Sequence, residues 1–308
     1  MIDKKDKEIE INVPASSGNI GSGFDCVGIA IDIWNKITLK QTFNSKEKLR
    51  IEYTGEKSFN NIPHEEDLII LSAKEFLKND LSGVSINCEA NIPLSRGLGS
   101  SSAAIASGLL IGSNLKNEEK KTISELVELG IKSEGHPDNI APTMLGGCVI
   151  SVLNNNEWAF SKVPVPENLN LIIFIPEIEF ETKKSRSMLN PKIERENAVY
   201  NIGRAALLIN CLNNKDFSLL KYATQDMIHQ DIRFENFKEM KYLLESGLEA
   251  GALSGFLAGS GPSIIFFAHG REMTIKYELL ECARKHNIKG KVIITKSTNK
   301  GAHLKLIK

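Results

Sequence analysis

The stretch Pro93–Leu110 reads PLSRGLGSSSAAIASGLL, glycine and serine followed at once by an apolar, alanine-rich run. Gly97 and Gly99 let backbone come close to a bound group. Residues 102–115 have the small, apolar composition of a buried helix. A helix that starts directly after such a loop aims unpaired N–H groups and the positive end of its dipole at whatever the loop encloses. Ser100, Ser101 and Ser102 add hydroxyls that donate hydrogen bonds or ligate a magnesium ion. The stretch reads as a phosphate cradle, although a serine-capped turn has much the same composition. It does not match G-x-x-x-x-G-K-[ST], and no G-x-G-x-x-G follows a strand.

A cradle without lysine needs positive charge from elsewhere, and a metal ion is the usual source. A carboxylate must then approach the serines. Glu128 stands at the edge of the apolar stripe Ile123, Leu126, Val127 and Ile131, and Glu134 competes with it on composition. Just beyond, SEGHPDNIAP packs His136, Asp138 and Asn139 into four residues, a cluster able to orient a small polar molecule or assist proton transfer. The same residue types also form Asx-type turns. NIGSGFD sets Asn19 and Asp25 around glycines, and TKKSR and HQDIR each carry an arginine. Together these stretches read as parts of a site for a small anionic molecule.

The bulk properties agree with a small-molecule protein. In 308 residues, 38 Lys plus Arg balance 38 Asp plus Glu, so no global field recruits nucleic acid or an acidic membrane. An apolar share of 42% is enough for a sizeable core. Cys26, Cys88, Cys148, Cys211 and Cys282 are odd in number, with no C-x-x-C pair, and predict buried reduced thiols. The charged start MIDKKDKEIEINV lacks an apolar signal segment and no 18-residue apolar run follows, so a cytoplasmic location is expected.

Strands are predicted over 8–13 and 29–39, with a loop over 14–28 between them and a weaker strand over 41–53. Helices are predicted over 65–79, 102–115, 118–132, 194–212 and 217–229, with a proline-interrupted loop over 133–147. GFLAGSGPSIIFFA reads as strand, turn, strand, before a helix over 273–287 and a late strand KVIITKS. The mixture predicts an α+β fold of two layered domains, 1–160 and 161–308, divided where polar and proline residues cluster.

In this order the motifs resemble the GHMP kinases. PLSRGLGSSSAA is similar to their phosphate loop, LAGSGPSIIFF to their C-terminal glycine motif and VPASSGNIGSGFD to their N-terminal one. NIGSGFDCVGIAID and EGHPDNIAPTMLGG further resemble the homoserine kinase branch. The resemblance spans Pro14 to Pro262. It implies an N-terminal domain like the second domain of ribosomal protein S5 and a C-terminal ferredoxin-like domain. It also implies transfer of the ATP γ-phosphoryl to the side-chain hydroxyl of L-homoserine, a step toward threonine, by a homodimer.

Residue by residue, the resemblance places Pro93, Arg96, Gly97, Leu98, Gly99, Ser100, Ser101 and Ser102 around ATP. Ser101 and Glu128 would hold Mg2+, Glu128 standing eight residues before His136 as in the family pattern. Asp25 would take the substrate ammonium, and Arg186 and Arg233 its carboxylate, with Thr182 nearby. Asn19, His136, Asp138 and Asn139 would surround the reacting hydroxyl, Asn139 orienting it. Asp67 stands where the family usually has asparagine in its adenine segment. The competing readings are another small-molecule kinase of the superfamily, or a silent sensor of ATP or an amino acid. The presence of Ser101, Glu128 and the GLGSS run argues against the sensor.

Overall fold

The chain opens on two long strands, β1 (Lys7–Asn19) and β2 (Gly23–Gln41), that pair antiparallel as one hairpin. The structure is a computed structural model and describes residues 6–42, 45–55, 62–77, 81–115 and 121–307. Strand occupies 14–19 and 23–28, either side of a turn at 20–22, where the proline and glycines predict a loop. Irregularities between Pro14 and Ala15 and between Gly18 and Asn19 absorb the breaks in alternation. Asn19, Ile20 and Asp25 take φ of 70°, 45° and 57° at the hairpin's tip.

Next come β3 (Arg50–Gly55), α1 (Leu68–Leu77) and β4 (Val84–Ala90), β3 pairing parallel to β4. The strand expected over 41–53 is ordered as β3 only from Arg50, and its residues 43–44 lie outside the described residues, as do 78–79 of the first expected helix. The helix after the glycine loop is α2 (Ser100–Leu115), buried along almost its whole length. α3 (Ile123–Glu134) starts at a capping box in which Thr122 and Glu125 satisfy each other's backbone N–H, and 118–120 lie outside the described residues. α4 (Pro137–Leu145) replaces the expected loop. Pro137 sits at the first helical positions, where a missing N–H costs nothing, so the motif starts a helix rather than breaking one. β5 (Cys148–Asn154) and β6 (Glu157–Val163) complete this half.

The second half runs β7 (Asn170–Pro176), α5 (Thr182–Ser187), α6 (Arg195–Asn214), α7 (Leu220–Ala223), α8 (Gln230–Phe234) and α9 (Lys238–Glu249). It continues through β8 (Ser254–Leu257), β9 (Ile264–Ala268), α10 (Glu272–Lys285), β10 (Gly290–Lys296) and β11 (His303–Leu306). The helix expected over 217–229 is broken. Asp226 accepts the backbone N–H of Ile228, His229 and Gln230, which turns the chain and starts α8 afresh.

Two sheets result. The first follows β11-β1-β2-β4-β3, with β5 joined to β2 and β6 to β5. The second follows β10-β7-β9-β8, all antiparallel. Helices connect its first strand to its second and its third to its fourth, which is the β-α-β-β-α-β arrangement of ferredoxin-like domains. The expected division at 160 falls inside β6, and β11 returns to pair with β1, so the sheets are not two contiguous segments.

β7 is buried on both faces, hence its unbroken apolar run LIIFI. Leu171, Ile173 and Ile175 join the core of the first sheet. Ile172 and Phe174 face a second core with Phe237, Leu243, Phe266 and Leu279 under α9 and α10. The five cysteines are free thiols, Cys88, Cys148 and Cys211 buried as expected and Cys26 and Cys282 half-buried. Among the described residues no helix is long and apolar enough to cross a membrane.

Candidate active site

The fold gathers the sequence motifs around one cavity of about 290 Å³, close to the lower end of small-ligand sites. Leu94 to Ser101 form one wall, Asn19 and Gly259–Ser260 another, and Glu134, His136, Asp138, Asn139, Thr182, Arg186 and Arg233 a third. Gly97 has φ 74°, and a Cβ there would lie 2.0 Å from the carbonyl oxygen of Ala258. The glycine is what lets the C-terminal glycine motif press against the loop. Ser263 N–H donates to Arg96 O across the same seam.

Not every loop side chain is free to meet a ligand. Arg96, expected beside a phosphate, spends its guanidinium on the carbonyls of Leu94, Pro176 and Glu177 and on the Glu179 carboxylate. It ties the loop to the end of β7. Pro93 and Ser102 are absent from the cavity lining, and the Ser102 hydroxyl turns back to donate to Glu134 at 2.6–2.7 Å.

Glu134 is the acidic residue at the loop. Glu128, expected there, does not line the cavity. It lies six residues earlier on α3, about 9 Å along a helix axis rising 1.5 Å per residue. Gly135 in the left-handed conformation stops α3 directly after Glu134 and leaves that carboxylate beside the start of α2. Burial pushes the Glu134 carboxyl up to about 7, against the pull of His136 and the hydroxyls of Ser102 and Ser101. Ser100 Oγ is buried without a hydrogen-bond partner among the described residues. A desolvated carboxylate beside hydroxyls with spare acceptor capacity is a hard oxygen set that suits a magnesium ion.

The polar cluster on α4 is internally ordered. His136 Nδ1 lies 2.6 Å from Asp138 Oδ1. Burial works against a charged His136, yet the bond to Asp138 together with the charges of Asp138 and Glu134 outweighs it, and the imidazole titrates above its usual range. A Cβ on Gly18 would lie 1.9 Å from Asp138 Oδ2, so β1 can pass this carboxylate only as glycine. Asn139 Oδ1 accepts from Ser16 Oγ at 3.2 Å, and Ser16 in turn accepts from Thr143. The Asn139 carbonyl is therefore occupied, and its Nδ2 is the group left to offer.

Asn19 Nδ2 donates to Gly259 O and its Oδ1 accepts from Asp25 N, locking the hairpin tip against the glycine motif. Arg186 on α5 grips Asp25 through two bonds of 2.7 Å, a fork-to-carboxylate pair with both side chains about one-third exposed. Thr182 Oγ1 lies 3.3 Å from Ser260 Oγ. Arg233 is buried, and its guanidinium carbon and that of Arg186 lie 5.8 and 5.9 Å from the Phe24 ring. Burial, reinforced by Arg186, pushes Arg233 down to about 10, so it remains charged at neutral pH.

Tyr53, Ile62 and Leu68 add an aromatic and aliphatic flank to the same cavity. Asp67 is occupied on both oxygens, by the N–H groups of Ile69 and Ile70 at the start of α1 and by the Tyr53 hydroxyl at 2.6 Å. Its place is structural. Tyr53 and Ser260 were not separable in sequence, because nothing local marks a serine or aromatic as facing a cavity.

Comparison with known proteins decides the family. The model of the GHMP kinases N terminal domain matches residues 67–147, and that of the GHMP kinases C terminal matches 206–289. A homoserine kinase of Clostridium botulinum (strain Alaska E43) is 35% identical over 304 residues, 96% of this chain and 98% of its own. A second, of strain 657, is 39% identical over 265 residues, 83% of this chain and 85% of its own. The chain belongs to the homoserine kinase family of GHMP kinases. The crystal structure of homoserine kinase from Cytophaga hutchinsonii superposes with a TM-score of 0.85 at 27% identity, covering 97% of this chain and 98% of that one. An L. major mevalonate kinase structure shares the fold, with a TM-score of 0.65 at 14% identity, covering 96% of this chain and 97% of that one. The enzyme is thus a phosphotransferase of the GHMP fold, with the α+β architecture read from its motifs.

Proposed function

We propose that this kinase transfers the γ-phosphoryl group of ATP to the side-chain hydroxyl of L-homoserine. The observation that carries the substrate class is the Asp25–Arg186 pair, one anion and one bidentate cation presented together at 2.7 Å beside the cavity. An α-amino acid carries both complementary charges, and an uncharged polyol carries neither. Gly97 to Ser101 receive the phosphates through backbone N–H groups and the dipole of α2. Tyr53, Ile62 and Leu68 offer the apolar flank for the base.

Ser101 and Glu134 are the residues that would hold magnesium. The chemistry such an ion would supply there is neutralisation of charge on the phosphate groups held by the loop. Arg186 and Arg233 take the carboxylate and Asp25 the ammonium, which orients the chain of the amino acid toward α4. Asn139, its carbonyl spent on Ser16, presents Nδ2–H to the hydroxyl oxygen and fixes its line of attack. Asp138 is already engaged by His136. The transition state of phosphoryl transfer is loose, so positioning and charge neutralisation supply most of the rate, and the hydroxyl proton leaves with the phosphate.

Asp138→Asn tests the last point. Its kcat is expected to fall by less than about 10³-fold, because a lost general base typically costs 10² to 10⁴ and here only the His136 contact is removed. A larger loss in single-turnover kinetics would make Asp138 the base. The substrate itself is tested by coupled ATP turnover with L-homoserine, L-serine, L-threonine and an uncharged polyol. Turnover confined to homoserine is the expected result, and turnover of the polyol with none of homoserine overturns the proposal.

A further inference from the structure

His229, the first residue of HQDIR, is 1% exposed and touches the cavity only through others. Its Nδ1 lies 2.9 Å from Arg233 Nη1, and its Nε2 lies 2.8 Å from the carbonyl oxygen of Gly21. Arginine has no acceptor and a carbonyl has no donor. Both contacts form in a single state of the ring, neutral with its proton on Nε2. In that state His229 accepts from Arg233 and donates to Gly21. A second proton on Nδ1 would point an N–H at the guanidinium.

The surroundings favour that state. Asp226 Oδ2 lies 3.7 Å from Nε2, but its carboxylate is spent on the N–H groups of Ile228, His229 and Gln230 and on Asn201. Burial outweighs the attraction of Asp226, and with the charge of Arg233 it holds the imidazole well below its usual range. The Phe24 ring covers one side at 5.3 Å.

Arg233 has a second anchor in Gly259 O at 2.9 Å, while its Nε is buried with no partner. A guanidinium held at Nη1 by two acceptors, on a residue that lines the cavity, is prepared for an anion. Gly21 lies in the tip between Asn19 and Asp25. His229 therefore joins the arginine that faces the cavity to the turn that carries the opposing carboxylate.

We propose that His229 is a positioning residue for the amino-acid carboxylate, a neutral imidazole that aims Arg233 into the cavity and fastens the Asn19–Asp25 turn to α8. The proposal rests on the reading of Arg233 as a carboxylate ligand. His229→Leu removes both contacts and should raise KM for L-homoserine about tenfold or more, the scale of a hydrogen bond to a charged group. KM for ATP should stay near its wild-type value. His229→Gln offers an acceptor and a donor at similar reach and should recover most of the loss. Parallel rises in both KM values, or equal damage from Leu and Gln, would overturn the assignment.

The tautomer gives a test that needs no variant and no substrate. Nitrogen NMR of the wild-type protein at neutral pH should find the His229 ring neutral with its proton on Nε2. A charged ring, or a proton on Nδ1, overturns the proposal even if His229→Leu fails to fold. Absence of homoserine turnover by the wild type would instead refute the proposed substrate and leave the tautomer result standing.

Discussion

Glu134→Gln should lower kcat/KM by about 10² to 10³-fold, the scale of losing one charge-stabilising group at a reacting centre, while Glu128→Gln stays near wild type. Glutamine keeps the size of the side chain and its bond with Ser102 but loses the anionic oxygens that a magnesium ion requires. The two glutamates share one helix, so the pair of variants isolates position from composition. Equal losses at both, or a loss at Glu128 alone, would return the metal site to the earlier turn of α3. Steady-state rates titrated with Mg2+ measure this, and the Glu134 variant should need far more metal to reach its plateau.

The same carboxyl has a readout independent of activity. Its pKa is about 7 in the fold against an ordinary 4.5. Between those values the metal-free native protein holds a proton that the unfolded chain has released. Stability from this group is fully present below pH about 4.5 and is lost as pH rises toward 7. In Glu134→Gln that slope should vanish from Tm measured against pH in the presence of chelator. An unchanged slope would assign the titration to another group.

Arg186→Ala should raise KM for L-homoserine by about 10²-fold or more, since truncating one partner of a hydrogen-bonded charge pair costs 2–5 kcal/mol. KM for ATP should be unaffected. Without substrate, Arg186 and Asp25 neutralise each other through two 2.7 Å bonds. A zwitterion exchanges that pair for two new ones, so little net charge is left unpaired. A ligand with a single charge must break the pair and abandon one partner. Arg186→Lys should recover only part of the affinity, because an ammonium cannot span two carboxylate oxygens. A matching rise in KM for ATP would show that Arg186 supports the phosphate loop instead.

Much of this site was legible in the chain. Glycine at 97 and 99, serine at 100 and 101 and a small apolar helix behind them specify a cradle through local rules alone, namely backbone freedom and an open helix start. The strand-turn-strand around Gly259 and Gly261 and the α+β class follow equally from local pattern. Asp25 with Arg186, and His136 with Asp138, were marked by residue type. Their pairing at 2.6–2.7 Å was not, since 161 positions separate the first pair.

Errors arose where a distant partner overrides a local preference. Residues 14–28 look like a loop, yet strand pairing across two irregular steps satisfies their backbone. Residues 137–145 look broken by proline, yet Pro137 falls where a helix needs no N–H. Arg96 reads as a phosphate ligand, yet Pro176 and Glu177 at the end of β7 supply two of the three carbonyls that hold its guanidinium.

What the sequence specifies by itself is residue chemistry: a lysine-free glycine and serine loop ahead of a small apolar helix, carboxylates that follow it, and an aspartate and an arginine of opposite charge. Helix spacing could not choose between Glu128 and Glu134, because both stand on α3 and only the stop at Gly135 brings one of them to the loop. The tertiary structure sets Glu134 and not Glu128 on the cavity lining, commits the Arg96 guanidinium to backbone carbonyls and gives Arg233 its imidazole. Each decision depends on which end of one element meets the flank of another, and that is settled by packing between segments far apart in the chain.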